Sequence, residues 1–293
     1  MRFAVFLPNF GPFGDPAKLV ELALDAERAG WDGFFIWDHI QLDGAETGPI
    51  VDPWVALSAV AAATSRLRIG TMITPVARRR PWKLARETTT LDHVSDGRLT
   101  LGVGLGYPPE DEFGTFGEET DDRIRAAKLD EGLAILDGLW RGEELDFSGD
   151  HFEVRGATFL PQPVQQPRIP VWCGGWWPNP RPFRRAARWD GVAPELVGGA
   201  TPTPANVAEI AAAVAAHGAD LETFDIAING YSGDDVAQVT GSTDEYRDAG
   251  ATWWMERIDT DRLFSFDQTQ QRVHAGPPDG GQGDSTTTKK GSP

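Results

Sequence analysis

The amino-acid sequence predicts an α/β fold in which eight βα units close into a (β/α)8 TIM barrel. Short apolar runs alternate with segments of helical periodicity, as expected when buried parallel strands are joined by helices. The runs begin about every 30 residues, with one longer gap, and the 293 residues suit one barrel of about 250 residues. A doubly wound open sheet is the alternative, but it usually has fewer strands in one direction.

Turn and capping residues mark the first four units. The first strand is predicted over 3–7. Asp15 and Pro16 then supply an N-cap and a first helical position, and Gly30 ends that helix. The strands and helices that follow are predicted over 33–37, 53–63, 67–74, 81–94, 99–103 and 121–139.

Four more units complete the predicted barrel after an insertion. Residues 145–159 alternate polar and apolar side chains, which indicates a small hairpin between the fourth and fifth strands. From residue 276 the chain lacks apolar side chains, so we expect one barrel domain over 1–275 and a disordered tail over 276–293. The remaining strands and helices are predicted over 169–173, 181–187, 189–193, 204–217, 224–229, 234–249, 251–256 and 261–273.

The charge and the cysteine content exclude several functions. The chain has 27 basic and 44 acidic residues, and its net charge of −17 repels nucleic-acid phosphates and anionic membranes. A single cysteine, Cys173, cannot form an internal disulfide, and no Cys/His spacing typical of zinc occurs, so we expect no metal site. We see no targeting segment and no apolar run of about 18 residues, and we expect a soluble cytoplasmic protein.

Functional side chains of a (β/α)8 barrel gather where the strands end, which narrows the candidates. His39 is the only histidine predicted at such an end, and it can donate or accept a proton near neutral pH, or merely hydrogen-bond a loop. Trp176 offers either a stacking surface or ordinary apolar cover. No carboxylate pair of the glycosidase type and no Ser-His-Asp set is predicted there. Four glycines would let the backbone approach a flat ligand: Gly104, Gly106, Gly174 and Gly175.

Arginines cluster in two windows that contain no acidic residue, 55–86 and 154–189. Guanidinium groups and helix N-termini both bind phosphate, so the second window predicts a site for a phosphorylated cofactor. The alternative is that these arginines pair with acids on neighbouring helices. The three candidates lie at the start of the helix predicted after the fifth strand: Arg181, Arg184 and Arg185.

Several segments, taken together in their order and spacing, resemble one protein family over about residues 1–257. They are FFIWDH at 34–39, LRIGTMITP at 67–75, LDHVSDGRLTLGVG at 91–104, PQP at 161–163 with PVWCGG at 170–175, and RAARWDG at 185–191. The chain resembles the luciferase-like monooxygenases, a family of flavin-dependent oxidoreductases.

This resemblance implies that the barrel mouth binds reduced FMN or the deazaflavin coenzyme F420. In deazaflavin-using relatives a bulge on strand three with a non-proline cis peptide supports the ring, which maps here to the region of Thr71, Met72 and Ile73. The resemblance places His39 beside the reactive edge of the ring as the proton donor. It gives Asp38 the task of orienting His39 or of bonding the ring's polar edge. The strand-end glycines would meet the ring or the phosphate.

One departure from the family pattern concerns the substrate. Deazaflavin-using sugar-phosphate dehydrogenases place an acid directly after the glycines of strand four, whereas this chain has Tyr107 and two prolines, with Glu110 only afterwards. That departure argues against a sugar-phosphate substrate, and it makes Tyr107 a second candidate proton donor.

The leading hypothesis is therefore an enzyme that oxygenates, oxidises or reduces a small organic substrate, with the cofactor supplying the redox chemistry. A flavin-binding paralogue or accessory protein without turnover is the alternative, and a cofactor-free barrel hydrolase is a weaker one. Barrels of this family commonly form homodimers, so a homodimer is expected.

Overall fold

The structure is a computed structural model, and it describes residues 1–42, 48–232, 241–259 and 265–278. Within these residues, eight parallel strands close into a barrel in the order β1, β2, β3, β4, β7, β8, β9, β10. The predicted TIM-barrel fold is confirmed. The barrel strands are β1 Arg2–Leu7, β2 Gly33–Ile36, β3 Arg68–Pro75, β4 Leu99–Gly104, β7 Val171–Trp177, β8 Gly191–Leu196, β9 Asp225–Gly230 and β10 Trp253–Arg257.

Helices join consecutive barrel strands, and their starts follow the local sequence. Asp15 caps the Ala17 N–H at 2.9 Å, and Asp52 caps the Val55 N–H at 2.9 Å, each just before a proline that opens a helix. The helices predicted over 53–63 and 81–94 occur with those bounds. The helices are α1 Pro16–Arg28, α2 Pro53–Ala63, α3 Pro81–Val94, α4 Pro109–Glu112, α5 Asp122–Trp140, α6 Pro180–Ala186, α7 Pro204–Ala216, α8 Thr243–Asp248 and α9 Phe266–His274.

The predicted insertion between the fourth and fifth barrel strands is an antiparallel hairpin, β5 Leu145–Ser148 and β6 Glu153–Ala157. The fifth and sixth barrel strands begin later and run further than predicted. Gly174 and Gly175 do not end β7, because they pair with Ala193 and Pro194 of β8. The strands therefore carry Trp176 and Glu195 within them.

The last two predicted helices are shorter in the described residues. Residues 233–240 and 260–264 lie outside the description, and α8 begins only after Ser242, whose side chain caps the Glu245 N–H at 3.3 Å. Of the predicted tail, residues 279–293 also lie outside the described residues.

Apolar side chains fill two separate layers of the barrel. One layer packs the outer face of the sheet against the helices. The other fills the barrel interior, where Phe35 stacks on Trp172 with ring centroids 5.4 Å apart and Trp253 packs edge-on against both. The filled interior excludes a ligand from inside the barrel, and functional side chains of such barrels gather where the strands end. Across the described ranges, no helix combines the length and apolarity needed to cross a membrane.

Candidate functional site

The chain segment after β2 delivers His39, and the backbone of His39 is fixed by one buried amide. Asn9 follows β1 and is fully buried. Its Nδ2 donates to the His39 carbonyl at 2.8 Å, and its Oδ1 accepts from the His39 N–H at 3.2 Å. The main chain of His39 is thereby held on both sides, and its imidazole is left for other contacts.

The imidazole contacts a carboxylate that the sequence analysis did not single out. Nδ1 of His39 lies 2.8 Å from Oε1 of Glu112, which is 1% exposed. The same oxygen accepts the Ile40 N–H at 3.3 Å, and Arg78 donates to Oε2. A carboxylate oxygen that receives a backbone N–H, beside an arginine on its partner oxygen, is an acceptor for Nδ1–H. The other ring nitrogen, Nε2, is then the one that carries a lone pair.

Burial sets the charge of this histidine. It lowers the pKa of His39 to about 4, an effect assisted by the Arg78 guanidinium and opposed by the Asp38 and Asp111 carboxylates. His39 is therefore neutral near pH 7. The sequence analysis assigned His39 as a proton donor. In this state its Nε2 is a proton acceptor instead, because the ring's only proton sits on Nδ1.

Four protein donors hold the Asp38 carboxylate, and the ring contact expected of it stays a prediction. Its side chain is 1% exposed, and its oxygens accept from Arg78 at 2.9 Å and from Arg79 at 2.9 Å. Thr74 Oγ1 donates to it at 2.8 Å and Trp54 Nε1 at 3.2 Å. These protein donors occupy the carboxylate, so the group that orients the imidazole is Glu112. We call His39, Glu112, Arg78 and Asp38 the histidine cluster.

Strand β3 carries the expected bulge. Its register against β4 shifts between Thr71 and Thr74, and the peptide between Met72 and Ile73 is cis. The expectation of a non-proline cis bond in this region is confirmed. Thr71 is fully buried, with Oγ1 2.7 Å from Thr74 Oγ1, so its hydroxyl supports Thr74 and, through it, Asp38. Met72 packs into the barrel interior. Of the three predicted cofactor contacts on β3, only Ile73 is half-buried.

The strand-end glycines accommodate protein side chains. A Cβ at Gly104 would lie 2.0 Å from Ile73 Cδ1, and a Cβ at Gly174 would lie 2.9 Å from Ile73 Cγ2. A Cβ at Gly175 would lie 2.2 Å from Pro182 Cβ. Gly106 has a φ of +86°, a backbone conformation that favours glycine. Packing alone thus requires small residues here, and the cofactor contacts expected of these four glycines stay predictions.

Tyr107 and Trp176 form an exposed aromatic pair at the ends of β4 and β7. Their rings meet edge to face with centroids 5.1 Å apart, and the residues are 60% and 40% exposed. This arrangement gives Trp176 a surface that a flat ligand can cover. It gives Tyr107 no contact with the histidine cluster, so its role as proton donor remains a prediction.

The predicted phosphate arginines divide into two groups. Arg185 binds Asp130 of α5, with Nε 2.7 Å from Oδ1, and its side chain is 10% exposed. For Arg185 the alternative of pairing with an acid is therefore the correct one, and its assignment to a cofactor is corrected. Arg181 and Arg184 are exposed, without an acidic partner among the described residues, and they stay candidates.

A second group of charged residues lies on the opposite side of the mouth, at the ends of β8, β9 and β10. Asn229 Nδ2 donates to Glu195 Oε1 at 3.3 Å, and Tyr231 donates its hydroxyl to Asp259 at 2.6 Å. Arg257 binds Asp259 and lies 3.7 Å from Glu195. We call these five residues the Arg257 cluster; its carboxylates raise the pKa of Arg257 against the effect of burial, so its charge is permanent.

The mouth suits an aromatic cofactor on two observations. Trp37 packs beside Phe6 and His39, with ring centroids 5.7 and 5.6 Å away, and its buried Nε1 has no hydrogen-bond partner among the described residues. A ring carbonyl is a suitable acceptor for this donor. Ile73 lies in the bulge of β3 and adds a half-buried apolar surface. These residues fit a flat, carbonyl-bearing ring such as a flavin or deazaflavin.

Beside the histidine cluster lies a cavity of about 280 Å³. Its polar wall is formed by Asp38, His39, Arg78 and Arg79. Its apolar wall includes the side chains of Ile50 and Val51. A small organic molecule fits a space of this size and mixed polarity. In the described part of the chain, no three His, Cys, Asp or Glu side chains come together in a way that could hold a metal ion.

Comparison with known proteins gives the family. A model of the luciferase-like monooxygenases matches residues 1–278. The F420-dependent glucose-6-phosphate dehydrogenase of Nakamurella multipartita is 35% identical over 164 residues, which are 54% of this chain and 46% of that protein. The corresponding protein of Kineococcus radiotolerans is 35% identical over 167 residues, 55% of this chain and 48% of that protein. The chain thus spans about half the length of the curated relatives it matches.

Two solved structures share the fold over nearly the whole chain. The monooxygenase RslO1 from Streptomyces bottropensis has a TM-score of 0.72 and 22% identity, over 94% of this chain and 97% of that one. An F420-dependent secondary alcohol dehydrogenase, in complex with an F420-acetone adduct, has a TM-score of 0.71 and 17% identity, over 93% and 98%. The barrel, its bulged third strand and the family match over residues 1–278 lead to one conclusion: the chain belongs to the luciferase-like monooxygenase family.

Proposed function

We propose that this protein is an oxidoreductase that binds the deazaflavin coenzyme F420 at the barrel mouth and oxidises a small hydroxyl-bearing organic compound. The observation that carries the proposal is the His39–Glu112 contact of 2.8 Å in a site where His39 is neutral. Loss of a hydroxyl proton is the part of alcohol oxidation that a protein side chain must assist, and Nε2 of His39 can accept it.

The residues divide the task in a simple way. Glu112 holds the imidazole in the tautomer with Nε2 unprotonated, and Arg78 holds Glu112. As the hydroxyl proton passes to Nε2, the imidazolium that forms is stabilised by the Glu112 carboxylate. When bound, the coenzyme supplies the acceptor for the hydride that leaves the carbon bearing this hydroxyl. In the reverse direction the imidazolium returns the proton, which is the donor role that the resemblance implies.

The same residues suggest how the coenzyme is held. Trp37 would donate its unpartnered indole N–H to a ring carbonyl, and Ile73 and Trp176 would contact the ring faces. Arg181 in the first turn of α6 and Arg184 in its last turn, both exposed, would meet the phosphate of the tail. The relatives whose names include F420 favour the deazaflavin over FMN for this chain.

Titration of the protein with oxidised F420 and, separately, with FMN tests the cofactor. We expect saturable binding of F420, measured by ultrafiltration and by the fluorescence of the coenzyme. Addition of a panel of small primary and secondary alcohols and cyclic hemiacetals should then bleach the oxidised coenzyme without oxygen. Binding of neither cofactor would overturn the proposal. Binding without turnover on any substrate would favour the non-catalytic alternative, and oxygen consumption with reduced FMN would favour a monooxygenase.

A homodimer, which family membership predicts, can be measured on the same samples by sedimentation equilibrium.

A further inference from the structure

The alternation of side chains along the strands directs part of the Arg257 cluster into the barrel mouth. Ala193, Ala227 and Met255 pack in the barrel interior. Because successive side chains of a strand point to opposite faces, the residues two places further along face the same way, one layer closer to the mouth. These residues are Glu195 of β8, Asn229 of β9 and Arg257 of β10.

Two tryptophans belong to the same layer. Trp176 is paired in register with Glu195, and Trp37 follows the interior residue Phe35 by two places on the segment after β2. These are the two side chains that would contact the coenzyme ring. A substrate that lies against the ring would therefore meet the Arg257 cluster with a part of the molecule other than the group that reacts at His39.

Two polar atoms of the cluster are accessible to solvent and unused in the described part of the chain. Glu195 makes its contacts with Asn229 and Arg257 through Oε1, and its Oε2 forms no hydrogen bond and is not buried. Arg257 donates its Nε to Asp259, and its NH1 reaches the Gly199 carbonyl and Asn229 Oδ1 only at 3.4 Å. Its NH2 forms no hydrogen bond and is not buried.

The charges of the cluster select against an anion. The guanidinium of Arg257 faces two carboxylates, those of Glu195 and Asp259, so the cluster has no surplus of positive charge. A carboxylate or phosphate would be repelled by Glu195, whose side chain is 34% exposed. A carboxylate only accepts hydrogen bonds and a guanidinium only donates them, whereas a hydroxyl group can do both. Neighbouring hydroxyl groups on an uncharged molecule are therefore the complementary ligand.

We propose that the Arg257 cluster binds an uncharged polyol part of the substrate. One hydroxyl group donates to Oε2 of Glu195, and a neighbouring one accepts from NH2 of Arg257. A further hydroxyl group of the same molecule is the one oxidised at His39. This last step rests on the proposed function, whereas binding of the polyol does not.

Three four-carbon alcohols test the site through the bleaching of oxidised F420: the polyol erythritol, the monoalcohol sec-butanol and the hydroxy acid β-hydroxybutyrate. We expect erythritol to have a kcat/KM about tenfold or more above that of each of the others, because the contacts with Glu195 and Arg257 lower its KM. Glu195→Gln should raise the KM for erythritol by about threefold to eightfold and leave the KM for sec-butanol unchanged. The same variant should improve kcat/KM for β-hydroxybutyrate, since the repelling carboxylate is gone.

Arg257→Lys keeps a positive charge beside Asp259 and removes NH2, so it should also raise the KM for erythritol, by about threefold to tenfold. Glu209→Gln and Arg247→Lys, exposed on α7 and α8, are the matched controls and should leave all three substrates unchanged. The polyol site is excluded if erythritol is no better a substrate than sec-butanol, or if Glu195→Gln raises both KM values equally. Glu195→Gln decides alone if Arg257→Lys shows no thermal unfolding transition.

Absence of bleaching by every alcohol would count against the proposed function and not against the polyol site. Saturation-transfer NMR of erythritol with the same protein, with and without F420, then measures binding without turnover. A signal on erythritol that Glu195→Gln weakens and Glu209→Gln does not would support the site. No signal, or equal signals with the two variants, would overturn it.

Discussion

The two charged clusters at the barrel mouth both combine arginine with aspartate and glutamate, but they leave different groups available. In the histidine cluster and the adjoining Arg79, two buried carboxylates and two arginines neutralise one another and leave one nitrogen, Nε2 of His39, without a proton. In the Arg257 cluster the arginine is the group that is held, and the Glu195 side chain remains 34% exposed. Burial thus makes a proton acceptor on one side, whereas partial exposure leaves a polar contact surface on the other.

Removal of the imidazole should have the largest effect. His39→Ala should lower kcat by about 100-fold to 10,000-fold, because the hydroxyl proton loses its acceptor. Cofactor binding, measured by titration, should be retained. The matched control is His217→Ala, at an exposed position just after α7, which should leave kcat unchanged. Full turnover by His39→Ala would contradict the role of His39 as proton acceptor, and with it the contrast between the two clusters.

The pH dependence sharpens the same point. The pKa of His39 in the folded chain is about 4, below its ordinary value of 6.5, so protonation favours the unfolded state. This contribution to the free energy of unfolding is present above pH 6.5 and is lost as the pH falls towards 4. We expect kcat/KM to stay flat from pH 7 to about 5 and then to fall. The stability difference between pH 7 and 5 should shrink in His39→Ala, as urea unfolding would show.

Arg78→Met tests the carboxylates behind the histidine. Arg78 donates to both Asp38 and Glu112, each 1% exposed at its side chain. Leaving these buried charges short of a partner should lower the free energy of unfolding by about 3–5 kcal/mol, measured by urea denaturation. Arg80→Met, two residues along the chain and exposed, should change it by less than about 0.5 kcal/mol. Equal effects of the two substitutions would contradict the assignment.

Glu112→Gln keeps the shape of the side chain and removes its charge. An amide can donate to Nδ1, which would move the ring proton to Nε2 and remove the acceptor. We expect kcat/KM to fall by about 10-fold to 100-fold, the size seen when carboxylates behind metal-bound histidines are replaced. Glu110→Gln, on the same short helix but exposed, is the control. A fall in that variant as well would point to a disturbed loop.

The smallest effect is expected on the opposite side of the mouth. Glu195→Gln should raise KM by less than about tenfold and leave kcat nearly unchanged, since a partly exposed carboxylate contributes little to binding. Steady-state kinetics with the best substrate of the panel would measure both constants. Glu209→Gln, exposed on α7, provides the reference. A large loss of kcat in Glu195→Gln would mean that both clusters take part in the chemistry.

The fold could be predicted because its signals are local. Pro16, Pro53 and Pro81 each open a helix after an N-cap residue, and the apolar runs between them are the barrel strands. The position of His39 followed from the same pattern. The bulge on β3 was available only through the family resemblance, since nothing in the residues 71–74 themselves demands it.

The partners within the site could not be predicted, because they depend on which members of a charged run are buried. Three acids follow the prolines after β4, and only Glu112 turns inward, as the last residue of a one-turn helix. The absence of an acid directly after the β4 glycines, with three acids soon after, was the available signal. Arg78, Arg79 and Arg80 pose the same problem, since they differ in burial and not in type.

Arg78 and Arg79 line the cavity beside His39 and also a cavity of about 400 Å³ on the side of α5, so the same two arginines separate the two spaces. A negative charge brought near these two arginines from the larger cavity would act on the histidine cluster. It would compete with Asp38 and Glu112 for the arginines and make the imidazole easier to protonate. Assays in phosphate buffer and in an amine buffer would therefore report different acid limits for one and the same enzyme.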